Sequence, residues 1–569
     1  MGDNVPDTRN PLLQKTIAAA AMAFTLAAST ASWAARDFTP QAGTWVISEE
    51  LNGKPGRGLA IDVQGNTFFM QVFGYENNGD ATFYTATGQM QGNGVTAPLM
   101  RYQGGRSFGS EARDAVEDKS LGHVTVIFKN GLTGTIQFPN EPAVAIERFL
   151  VQSDEPSAIN PRMQNGIRVV QLLVQSPQGD VAYDWRLDIL RNEDNSFHLY
   201  LSQPDSWRYD RVTYTTFQEM ACQLVGTRAR FSCTAIGKPP YINTNMSPEP
   251  VAGSWVDRMQ IELVGYEVTG IVHMGDKQAG TSMPATGYNA GADAFGPQNG
   301  SDTTLGKTHV QQNYLQSHFS WGGATCAGCV PNKYLHTLMP INGTWVVEDE
   351  LTGKPGRGLA LDIQGSSAIL QVYNYRADAR PTFHMGGAAY LSKGANPPTT
   401  AATIPMDEYA GGRSLGGAKQ SAQLRNRAGD AQLEFAYQRS DDQPLEEWMW
   451  WTVGQLQLPQ EAPVRIRRLQ LERPANFAED MLGQWFLPLV QKTITLTRAD
   501  GDTVTSADGL VVCTPITNRK GVDASCGQPG ENGAWVWHQF LSKPLMNRGG
   551  TMVRLRDRHG NAVGLGQLD

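Results

Sequence analysis

Along most of the chain the apolar residues recur with a period of two rather than 3.6, as they do in extended strands whose side chains alternate between faces. In the segment Thr67–Tyr75, Phe68, Met70 and Val72 share one face, and Phe69, Gln71, Phe73 and Tyr75 share the other. The division recurs 300 residues later, with Ala368, Leu370 and Val372 set against Ile369, Gln371, Tyr373 and Tyr375. Turn signals interrupt these runs at intervals of about 8 to 12 residues. Asn130-Gly131, Gln178-Gly179, Asp500-Gly501 and His559-Gly560 are examples. Helical periodicity is nearly absent. The pattern predicts an all-β chain of antiparallel up-and-down barrels or two-sheet sandwiches, with about eight short strands in each unit.

The chain also repeats itself. GTWVISEELNGKPGRGLAIDVQG, from Gly43, and GTWVVEDELTGKPGRGLALDIQG, from Gly343, agree at 17 of 23 positions without a gap. The match continues through Gln71/Gln371, Tyr75/Tyr375 and Phe83/Phe383, then returns as GGRSFG at Gly104 and GGRSLG at Gly411. Cys222 and Cys233 follow the first copy much as Cys513 and Cys526 follow the second. A two-domain block used twice is the simplest division. It gives a signal peptide over 1–34, unit A over 35–155 and unit B over 156–275. A Gly/Asn/Ser-rich insert with CAGC then spans 276–340, before unit A′ over 341–475 and unit B′ over 476–569.

Composition narrows the setting. Arg9 and Lys15 precede an apolar run from Ile17 to Ala28, and Ser32 and Ala34 offer a small-residue cleavage site before Ala35. These are the parts of a secretory signal. Six cysteines in three local pairs, Cys222–Cys233, Cys326–Cys329 and Cys513–Cys526, suit disulfides in an oxidising compartment. Export to the periplasm or beyond the cell is the expectation, with no membrane span in the mature chain. The net charge is −8 and basic residues form no cluster, which disfavours nucleic acid as a partner.

The Gly-x-Trp starts at Gly43, Gly343 and Gly483 resemble the first strand of calycin-like barrels such as lipocalins. The longer run GTWV…GKPGRGLA…QG, continuing to Gln71 and Tyr75, resembles repeats in exported proteobacterial proteins to which no activity is assigned. That resemblance implies an envelope or secreted location and supplies no catalytic residues.

Several groups of residues are candidates for chemistry. In GKPGRG, proline followed by glycine suits a type II turn, which needs positive φ after the proline. Arg57 and Arg357 are placed to pair with Glu50 and Glu350. Alternatively Glu50, Lys54 and Arg57, with Glu350, Lys354 and Arg357, make a polar ligand-binding cluster at a barrel mouth. Arg106 and Arg413 from the GGRS motifs join that set. So do the amides Gln71 and Gln371 beside Tyr75 and Tyr375, a face that is either core or the wall of a pocket. GGRSFG and GGRSLG contain G-x-S-x-G, which makes Ser107 and Ser414 candidate nucleophiles of a secreted serine hydrolase. No helix signal follows either serine, and no acid–histidine pair is shared by the copies. CAGC lacks both the histidine of a haem site and the βαβ setting of a redox motif, and no metal site or cofactor is expected. The reading that results is a non-catalytic binding or scaffold protein for a glycan, an envelope polymer or a small ligand. The serine hydrolase and a structural module of a surface assembly are the alternatives.

Overall fold

Strict alternation closes a sheet into a barrel when one face of every strand turns inward. The first A unit does this with β1 (Gly43–Ile47), β2 (Gly58–Gln64), β3 (Thr67–Tyr75), β4 (Ala81–Gln89), β5 (Gly94–Gln103), β6 (Val116–Phe128), β7 (Thr133–Gln137) and β8 (Val144–Arg148). Neighbours in sequence pair antiparallel, and β1 closes on β8 through Trp45 opposite Arg148. The computed structural model describes residues 35–149, 167–289, 340–487 and 492–563. Within those limits, 37, 177–179, 192–195, 209–210, 226–228, 238–254, 265–266, 276–279, 365–366, 396–397, 440–449, 473, 516–522, 531–533 and 543–552 are not described. The expected signal peptide and the CAGC cysteines, Cys326 and Cys329, lie outside the described residues.

The inward set includes Phe68, Met70 and Val72, which pack with Trp45, Phe128 and Ile136 in the barrel core. Unit A′ repeats the design with Trp345, Leu370, Val372 and Phe435 inside. Its nine strands form one sheet that curls round until Pro381–Ala389 meets Pro398–Ala410, with one short extra strand, Leu391–Ala395. Unit B is a second closed barrel of eight strands between Ile167 and Asn289. Its closing strand, Ser282–Asn289, pairs with Ile167–Gln175 and lies beyond 275, where the sequence placed the end of the unit. Among its described side chains the buried apolar ones are Met283 and Ala285, too short an apolar pattern to read as a strand in the sequence. Unit B′ is a seven-stranded antiparallel sheet.

Each B unit carries a disulfide between facing residues of adjacent strands, Cys222–Cys233 and Cys513–Cys526. The three Gly-x-Trp starts share one geometry. Trp45, Trp345 and Trp485 are buried, and each indole Nε1 donates to the carbonyl four residues earlier, at 2.9, 3.0 and 2.8 Å. The glycine two residues before each tryptophan has φ of 124°, 124° and 128°. L side chains rarely adopt that conformation, which accounts for glycine there. Among the described residues no helix is long and apolar enough to cross a membrane.

Units A and A′ dock face to face, and equivalent residues swap partners across the junction. Arg148 makes a two-pronged ion pair with Asp362, at 2.6 and 2.7 Å, and Arg468 reaches Asp62 at 2.6 Å. Each of these aspartates also accepts a backbone N–H from the other unit, Thr44 to Asp362 and Thr344 to Asp62, both at 2.8 Å. Gln364 Nε2 bonds Phe149 O and Gln64 Nε2 bonds Leu469 O. Such self-complementary exchange is the mark of a two-fold interface, here built within one chain.

Candidate functional site

The repeated GKPGRG loop lies at this junction. Arg57 is buried and pairs with Glu50 at 2.6 Å, the contact anticipated from spacing, and with Glu141 at 2.8 Å. Arg357 repeats this with Glu350 and Glu461. Each cluster then receives a second arginine from the other unit. Arg413 reaches Glu50 at 2.9 Å, and Arg106 reaches Glu350 at 2.9 Å. Burial raises the Glu141 carboxyl, but hydrogen bonds from Arg57 and the Gly416 N–H outweigh it and hold the group below its ordinary range. The turn differs from expectation in one respect. The positive φ falls on Gly53 and Gly353, at 76° and 80°, and not on the glycines after the prolines. Pro55 and Pro355 instead present their carbonyls across the junction, to Ala422 N and Ala115 N.

The GGRS motifs are crossing loops. Gly104 and Gly411 take φ of 85° and 78° and donate their N–H groups to Ala379 O and Gly79 O of the opposite unit. The next glycines leave room for a ring: a Cβ on Gly105 would sit 2.1 Å from the Tyr375 ring, and one on Gly412 would sit 2.1 Å from the Tyr75 ring. Ser107 and Ser414 occupy these loops. The backbone after Ser107 turns through Ser110 and then enters β6, so no helix follows, and Gly417 N closes a tight turn on Ser414 O. Neither serine stands at the strand-to-helix turn that a nucleophile elbow requires.

The outward face of β3 supplies the rest of the junction. Phe73, Tyr75 and Phe83 interleave with Tyr373, Tyr375 and Phe383 in one cluster, with ring centroids 5.3 to 5.9 Å apart. The candidate tyrosines are therefore packed between barrels, and burial pushes the Tyr75 and Tyr375 hydroxyls well above their ordinary pKa.

Gln371 is satisfied in this layer: Nε2 donates to Thr44 Oγ1 at 3.1 Å and Oε1 accepts from Tyr373 Oη at 2.8 Å. Gln71 differs. It is 3% exposed and its Oε1 has no hydrogen-bond partner. It borders a cavity of about 270 Å³ between the barrels, walled by Phe69, Phe83, Thr85 and Tyr102 on one side and by Thr344, Glu350, Lys354, Arg357 and Tyr373 on the other.

The structure thus brings the candidate residues of both copies to one seam, with Lys54 and Lys354 at its exposed margins. Sequence reasoning passed over Glu141, Glu461, Arg148, Arg468, Asp62 and Asp362. Asp62 and Asp362 did carry a signal, a carboxylate repeated inside an otherwise apolar strand. Among the described residues no cluster of His, Cys, Asp and Glu is arranged to hold a metal ion. Compared with family models, curated proteins and solved structures, the chain matches none.

Proposed function

We propose that the chain is an exported, non-catalytic binding protein whose ligand site is the cavity in the seam between units A and A′. The observation that carries this reading is the unsatisfied carboxamide of Gln71, a residue that lines an open volume. A buried acceptor left unpaired costs about 1–3 kcal/mol, and a ligand donor would recover much of it. The mixture of aromatic walls with a few convergent polar groups is the usual chemistry of a small-molecule site. Two cross-strand disulfides are compatible with export.

Calorimetric titration of the full chain with neutral, anionic, cationic and apolar small molecules tests the proposal. Thr85→Trp, which fills the cavity from β4, is expected to abolish binding while the protein remains folded by circular dichroism. A ligand that binds equally well to T85W, or failure of every class to bind, would overturn it.

A further inference from the structure

Positions 73 and 373 distinguish the two copies of the amide layer. Position 373 is tyrosine, and its hydroxyl satisfies Gln371 Oε1 at 2.8 Å. Position 73 is phenylalanine, so the equivalent donor is missing and Gln71 Oε1 is left bare. The first copy therefore needs from outside what the second carries in its own chain. Gln71 Nε2 lies against Gly358, where a Cβ would come within 2.5 Å of it. Rotation about the last torsion of the side chain presents either end of the amide, so a hydroxyl, which both donates and accepts, satisfies either orientation.

The charges beside the cavity are already matched. Arg357 is held by Glu350 and Glu461, and Lys354 Nζ lies 3.2 Å from Asp114. An added ionic group would enter this seam without a free counter-charge, at a desolvation cost. The remaining wall offers the hydroxyls of Thr85 and Tyr102 and the aromatic faces of Phe69 and Phe83. At about 30 Å³ per liquid water, the space amounts to roughly nine waters, the scale of a single sugar ring.

We infer that the seam cavity takes a neutral, hydroxyl-bearing ligand of monosaccharide size, read by the Gln71 carboxamide. This rests on the seam cavity being the binding site. The ligand's hydroxyl bonds the amide and the Thr85 and Tyr102 hydroxyls, while its C–H face lies on the aromatic rings.

Calorimetry of the full chain against neutral hexoses, their deoxy analogues, hexuronates, hexosamines and apolar alcohols provides the test. A neutral hexose is expected to bind, and removal of one hydroxyl to weaken binding. Gln71→Met is expected to weaken it about tenfold or more, as loss of a hydrogen bond in a dry site does, with thermal stability kept or raised. Unchanged hexose affinity in Q71M, or tighter binding of the charged or apolar analogues, would overturn the inference. If those other ligands bind and T85W abolishes their binding, the cavity remains the site and only the ligand class falls. Binding of no ligand at all overturns both.

Discussion

Asp80 and Arg380 hold the same position in the two A units and meet each other across the seam, with Arg380 Nη1 2.7 Å from Asp80 Oδ2. Near a two-fold axis a residue faces its own copy, and identical charges there repel. The copies avoid this by carrying opposite signs. Arg376 and Arg425 add to the attraction, at 3.2 and 2.6 Å. Burial raises the Asp80 carboxyl, but the three guanidiniums outweigh it and hold the group down to about 2. Arg380→Asp, which makes the copies alike again, is expected to destabilise the protein in low salt and to do so less in high salt. Urea midpoints at the two salt concentrations measure this, and equal midpoints for variant and parent would refute it.

The second glycine of each GGRS motif gives a sharper expectation. Gly105→Ala or Gly412→Ala drives a methyl into the Tyr375 or Tyr75 ring and is expected to cost about 1–3 kcal/mol, as overpacking does. The penalty should shrink for G105A in a Tyr375→Leu background, because the offending ring is gone. Thermal unfolding of the four proteins in that double-mutant cycle decides it. A penalty of the same size in both backgrounds would place the cause elsewhere.

The Asp362 carboxylate accepts from Arg148 and from the Thr44 N–H, all inside the junction. Asp362→Asn keeps the shape but strands a buried guanidinium, and breaking one partner of such a pair costs about 3–5 kcal/mol. Asp62→Asn is expected to fall in the same range through Arg468 and the Thr344 N–H. Loss of less than about 1 kcal/mol in denaturant unfolding would mean that these pairs do not hold the barrels together.

Acid is expected to weaken the protein in two stages. Burial holds the His384 imidazole down to about 4, so the unfolded chain takes up a proton first and stability falls from about pH 6.5 toward 4. Burial raises the Glu472 carboxyl, but bonds from His559, Thr67 and the Asn66 N–H outweigh it and hold the group down to about 2. Asp80 lies equally low. A depressed carboxyl contributes stability above its unfolded pKa and loses it as pH drops through the folded value, here from about 4 down to 2. Urea midpoints at about pH 7, 4 and 2.5 test both stages. His384→Gln should flatten the first and Glu472→Gln part of the second, and a midpoint constant with pH would exclude both.

Much of this architecture can be read along the chain, because alternation and turn glycines act over a few neighbouring residues. The faces of Thr67–Tyr75, the eight strands of unit A and the cross-strand cysteines Cys222 and Cys233 all follow from local spacing. The Arg57–Glu50 contact is local too, seven positions apart along the sequence. What alternation left open was whether Phe73, Tyr75 and Gln71 faced solvent, a core or a second barrel. Any of the three yields the same period of two.

The duplication was evident from the sequence alone, whereas its consequence was decided only in three dimensions. Self-comparison aligns Arg106 with Arg413 and Glu50 with Glu350, yet each arginine serves the glutamate of the other copy. Arg106 and Glu350 are 244 positions apart, and Arg148 and Asp362 are 214. No local periodicity links residues so distant. They meet because each barrel buries its aromatic outer face against its copy, and the charged loops around that face then find their partners on the opposite unit.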